Sequence, residues 1–161
     1  MENRARKEAV VSSATEWDQI DLSVERIVVP DNSFNEASFT ETDFSPFVNL
    51  RGIIIGSDCF KNVVTVNITG LPRLVNITIG VYSFTTCKGC ASRITSRRFY
   101  LTNCPLVTRL FINHGSFSDY GWCVIKNNTS FSALQMGSMD GVTWIFNKAS
   151  LIVMGLGVGR R

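Results

Sequence analysis

Cys87-Lys-Gly-Cys90 is the one pair of thiols in this chain at a spacing used for metal binding or thiol–disulfide chemistry. A tetrahedral zinc site needs two further ligands, and there is no second C-x-x-C; only Cys104 and His114 could help. A thioredoxin-like role wants the first cysteine at a helix N-terminus behind a strand, and TTCKGCASRITS offers neither. The segment reads as an insertion loop that carries two thiols, with a metal or redox role for Cys87 and Cys90 as the alternative. His114, in INHGSF, is the only histidine, so any Ser/His/Asp or Cys/His site has to use it. Ser116 and Asp119 are close in sequence, but no nucleophile signature surrounds them, and His114 reads as a turn residue. The acids cluster between Asp31 and Asp43 as a solvated face, apart from the apolar phrases, where paired carboxylates would be needed for acid–base work. No catalytic residue, metal or cofactor is expected.

Other polar features point to binding rather than reaction. Lys88, Arg93, Arg97 and Arg98 make the insertion the most basic stretch, able to meet phosphates or an acidic partner. It lacks interleaved aromatics, so it reads as a solvated loop. The net charge is only +3 with 18% charged residues, which argues against a dedicated nucleic-acid binder. Asn67-Ile-Thr69, Asn76-Ile-Thr78 and the overlapping sequons at Asn127 and Asn128 are formal glycosylation acceptors, meaningful only in a secreted protein. No apolar run is long enough to span a membrane. The first residues, MENRARKEAVVSSATEWDQ, carry basic side chains without an apolar stretch behind them, and five cysteines is an odd number. Both favour a reducing, cytoplasmic setting.

The elements that position these residues are repeats. LRGIIIGSDCF and LVNITIGVYSF are the same phrase: a lead Leu (Leu50, Leu74), an apolar triplet, a Gly (Gly56, Gly80) and a Phe (Phe60, Phe84), 24 residues apart. Val24 opens an earlier unit (Ile27-Val28-Val29, Pro30, Phe34), Val107 a later one (Leu110-Phe111-Ile112, Phe117) and Phe131 a fifth (Leu134-Gln135-Met136, Gly137, Met139). A second phrase alternates with the first: Val66-Asn67-Ile68, Phe99-Tyr100-Leu101, Cys123-Val124-Ile125 and Trp144-Ile145-Phe146. Each unit thus holds two short strands joined by two turns. The tail SLIVMGLGVGRR starts like another lead strand.

One unit cannot bury its own apolar row; stacking does so and pairs strand edges at about 4.8 Å, giving a body on the order of 25 Å long. Inward positions are then Ile53, Ile55, Ile77, Ile79, Leu110, Ile112, Leu134 and Met136, with Phe60, Phe84 and Phe117 as an aromatic column. Outward positions are Arg26, Val28, Ile54, Asn76, Thr78, Arg109, Phe111 and Gln135, a row of the kind repeat arrays use for partners. Ile54 and Phe111 are apolar where solvent is expected. The expected organisation is a lead-in over residues 1–21, disordered or capping with Trp17 and Ile20 as anchors. The repeats then run over 22–161, with an insertion loop near 85–97.

Phe99-Tyr-Leu-Thr-Asn-Cys104-Pro-Leu106 resembles the L-x-L-x-x-[NC]-x-L core of leucine-rich repeats, with Cys104 on the Asn/Cys ladder. The L-x-x-I-x-I-G-x-x-S-F phrase is similar to the BspA-like (Treponema-type) branch, over about Val24 to Leu151. That resemblance implies a mainly β, short right-handed leucine-rich-repeat-like solenoid of about five coils with parallel strands. It also implies a non-catalytic module that binds a protein partner. A structural alternative is a segment of a longer array, because Leu151-Ile-Val-Met154 would leave a bare apolar edge open to self-association.

Overall fold

The computed structural model describes residues 7–88, 94–137, 143–147 and 149–155. Strands β1 (Glu8–Val10), β2 (Arg26–Val29), β4 (Gly52–Ile55), β6 (Asn76–Ile79), β8 (Arg109–Ile112) and β10 (Ala133–Met136) form one sheet in that order. Strands β3 (Glu41–Asp43), β5 (Thr65–Thr69), β7 (Ile94–Thr102), β9 (Tyr120–Lys126) and β11 (Ser150–Met154) form the other. Every pairing is parallel. From β2 onward the chain alternates between the sheets, each strand pairing with the one two places on. The two phrases of the repeat are the two sheets.

Alternation dictates which side chains meet. Ile53, Ile55, Ile77, Ile79, Leu110 and Ile112 face Val66, Ile68, Phe99, Leu101, Cys123 and Ile125 in one buried core. Leu134 and Met136 hold the expected inward register beside Leu110 and Ile112 but are not buried: they are 40% and 39% exposed. Their strand is the last of its sheet, and no described residue continues past it. Phe34, Phe60, Phe84, Phe117 and Phe146 stack with centroids 4.6–4.9 Å apart and planes within 13°. The expected column therefore holds and is longer than expected.

The turns carry unusual backbone. Each of these five phenylalanines has φ between 46° and 58°, where bulky residues are outliers. The stacked rings offset the strain that each residue adopts there. Gly80 is required for another reason: a Cβ there would lie 2.5 Å from the Gly56 carbonyl carbon, so successive turns approach backbone to backbone.

Of the two alternatives for the lead-in, disordered or capping, the second describes residues from Lys7 on: β1 pairs with β2, and the short helix α1 (Ala14–Asp18), capped by the Ser13 hydroxyl, lays Trp17 edge-on against Phe34, Phe39, Phe44 and Phe47, with Ile20 also packed on the core. Two sequence expectations are corrected. The insertion is shorter than expected, because Ile94–Arg97 belong to β7, which reaches β9 across a register shift between Ile94 and Arg98. Trp144-Ile145-Phe146 is a turn in the place of Asp58-Cys59-Phe60, and the tail strand β11 pairs with β9 in the second sheet. Met139 lies outside the described residues.

Candidate functional site

The outward face of the six-stranded sheet carries all eight candidate binding residues. Register puts Glu8, Arg26, Gly52, Asn76, Arg109 and Ala133 in one row across the strands. Val10, Val28, Ile54, Thr78, Phe111 and Gln135 form the next row, two residues along. The eight are exposed or half-buried. The first row is polar and cationic, and the second is mostly apolar at Val10, Val28, Ile54 and Phe111.

A hollow of about 380 Å³ opens over β4 and β6, with Gly52 at its floor and Arg26, Arg51, Arg109, Asn76 and Ile54 around it. Arg26 reaches Glu8 at 3.3 Å and Arg51 reaches Glu25 at 3.8 Å; these exposed pairs are worth little to stability but hold both guanidinium groups over the face. Arg109 has no carboxylate partner among the described residues.

Among the described residues, the basic side chains of the insertion do not gather into one patch. Lys88 is ion-paired with Asp58 and lies 5.0 Å over the Tyr82 ring. Arg98 projects from β7 on the outer face of the other sheet, and Arg93 is outside the described residues. Arg97 is buried: its guanidinium donates to the Lys61 carbonyl at 3.0 Å, sits 3.8 Å from Asp119 Oδ2 and covers the Tyr120 ring. Asp119 Oδ2 accepts from the Thr86 amide and hydroxyl, which fastens the start of the insertion to the core. The Tyr120 hydroxyl donates to the Val63 carbonyl at 2.6 Å, and burial pushes its pKa well above the usual phenol value.

The free thiols among the described residues, Cys59, Cys104 and Cys123, are buried. Cys87 is disulfide-bonded, and Cys90 lies outside the described residues. A disulfide belongs to an oxidising setting, against the reducing default read from the cysteine count. Cys104 and His114, the two possible helpers for a metal, are engaged elsewhere. Cys104 is a buried core residue, and His114 Nε2 lies 3.1 Å from the Tyr82 hydroxyl. Among the described residues no group of His, Cys, Asp and Glu could hold a metal. Burial raises the pKa of Cys59 and Cys104 and pushes Cys123 up to about 12, so these thiols stay protonated.

Cys59 and Cys104 instead belong to two ladders of small polar side chains. Asn128 accepts from the Cys104 amide at 2.9 Å and donates to the Leu101 carbonyl at 2.9 Å, so it occupies the ladder site one unit after Cys104. In the other row Ser83 accepts from the Cys59 amide and donates to the Gly56 carbonyl, and Ser116 repeats this with the Ser83 amide and the Gly80 carbonyl. This second ladder is built on serine rather than asparagine. The Ser of G-x-x-S-F was its signal. The sequons divide by environment: Asn128 is buried and doubly bonded and Asn67 donates to Asp43, whereas Asn76 and Asn127 are exposed.

No protein-family model, no curated protein and no solved structure matches the chain, so its own geometry carries the functional reading.

Proposed function

We propose that this chain is a non-catalytic protein-interaction module, a short right-handed leucine-rich-repeat-like solenoid of about five coils that works through the outward face of its six-stranded sheet. The G-x-x-S-F phrase is similar to that of the BspA-like branch. The observation that carries the reading is the gathering of all eight outward candidates into two neighbouring rows on one face, with Val28, Ile54 and Phe111 left partly open to solvent. A protein partner fits better than nucleic acid, because the apolar row offers contact area and the cations are few. The test is capture of a partner from cell extract by the intact chain. The expected result is that Phe111→Asp abolishes capture with an unchanged circular dichroism spectrum, and that Tyr100→Asp, outward on the other sheet, does not. Equal loss in both variants, or in neither, sinks this choice of face.

A second reading has its own support at the other end of the repeats. Leu134, Met136, Leu151 and Val153 occupy inward positions yet are exposed, 54% for Leu151, beside a small apolar cavity. A further coil or a second copy would cover them. Self-association in size-exclusion chromatography, lost in Leu151→Lys with Val153→Lys, is the expected result; a concentration-independent monomer contradicts it.

A further inference from the structure

Gly52 is a glycine in the middle of a parallel sheet that neither its backbone nor its packing requires. Its φ is not in the left-handed region, and a Cβ built there would touch only Arg26 Cγ, at an ordinary 4.0 Å. Its row neighbours Arg26 and Asn76 carry long or branched polar side chains. A strand glycine weakens a sheet and often marks a bulge, a tight bend or a place where a ligand or another backbone approaches closely; Gly52 lies in unbroken register with β2 and β6, which leaves no bulge to explain it. Here its effect is to leave the floor of the 380 Å³ hollow bare.

We infer that this hollow seats an acidic, extended segment of a partner protein, with a carboxylate side chain over Gly52 between Arg51 and Arg109. The inference rests on the interaction reading above and narrows it to a chemistry. Three guanidinium groups and one carboxylate, Glu25, line the hollow; Glu25 is taken up by Arg51, and Arg109, without a carboxylate partner among the described residues, is the charge an incoming carboxylate would satisfy. Asn76 adds an exposed amide with no hydrogen bond among the described residues, and Thr78 adds a hydroxyl. The parallel row of Val28, Ile54 and Phe111 lies two residues along the strands, roughly 7 Å away. An extended chain lying between the two rows, across the strands, sends alternate side chains to opposite sides, so acidic residues over the Gly52 row place apolar ones over the Ile54 row. Single-stranded nucleic acid fits less well. No aromatic platform lines the hollow for bases to stack on.

The full chain, produced without N-glycans, is titrated against three fluorescein-labelled probes: an acetylated octapeptide of alternating Glu and Val, its Lys/Val counterpart, and a single-stranded oligothymidine. The expected result is binding of the Glu/Val peptide alone, weakening as salt rises. It should fall at least tenfold in Arg109→Gln and in Gly52→Val. Gly52→Val is the sharper variant, because a Cβ there meets only Arg26 Cγ at 4.0 Å and a β-branched residue suits a strand, so thermal stability should hold or rise while binding is lost. Binding undiminished in Gly52→Val, no binding of the Glu/Val peptide, or preference for the oligothymidine or the Lys/Val peptide overturns the inference. Loss of natural-partner capture in Phe111→Asp, with capture retained in Gly52→Val and Arg109→Gln, would leave the interaction reading standing and remove only this acidic seat.

Discussion

Phe84 sits between Phe60 and Phe117 at centroid distances of 4.9 and 4.6 Å, fully buried, and holds a φ of 57° that its side chain does not favour. Removing the ring leaves a cavity and the backbone strain together. Phe84→Ala should therefore cost about 3–5 kcal/mol, read from the urea midpoint. Asn128 makes a different kind of contribution, since its amide is the only partner shown for the buried Cys104 N–H. Asn128→Ala leaves that donor and the side of the Leu101 carbonyl bare, for a loss of roughly 1–3 kcal/mol; Asn128→Asp, which restores only the acceptor, should recover part of it. The buried acids govern the alkaline limb. Cys123 has its pKa raised by burial from 9.0 to about 12, and Tyr120 is raised well above 10.0 for the same reason. Both are protonated in the folded protein, while the unfolded chain loses its protons first as pH rises. The stability they contribute is thus complete below about pH 9 and declines through about pH 12, by at most about 1.4 kcal/mol per pH unit for each group. Urea unfolding at several pH values over this range should show that decline, with a shallower slope in Cys123→Ala.

At the scale of elements, strand register and turn chemistry explain which parts of the fold could be read from the sequence. The triplets Ile53-Ile-Ile55, Ile77-Thr-Ile79 and Leu110-Phe-Ile112 stand at equal distance from a Phe that stacks, so period and pleat agree and the inward and outward rows follow. The last unit was harder to read because Trp144-Ile-Phe146 has the composition of a strand triplet. Only its stacking on Phe117 and its positive φ values identify it as the turn. β1 was illegible for another reason: three residues with a single half-buried side chain leave no stripe, and only the edge of β2 orders them. The Ser83–Ser116 ladder was visible as letters but not as a role, because its partners are backbone groups one unit away. Ser83→Ala strips the Cys59 amide and Gly56 carbonyl of a buried partner and should destabilise by roughly 1–3 kcal/mol, whereas Ser83→Cys, the residue type used at Cys59, should be milder. The candidate site was legible as a face but not as a hollow, since the meaning of Gly52 depends on which side chains flank it across three strands.

For the molecule as a whole, the parallel sheets enclose one core and leave two outer faces of different character. One bears the Gly52 hollow and the apolar row of Val28, Ile54 and Phe111; the other bears Asp43, Asn67, Tyr100 and Trp122. The functional account depends on a partner using the first face. Site-specific photocrosslinking decides this most directly, with a benzophenone side chain placed at Gln135, beside the apolar row, or at Thr65, outward on the second sheet. The account predicts a crosslinked partner from position 135 and none from position 65. A partner crosslinked from position 65 alone would contradict it.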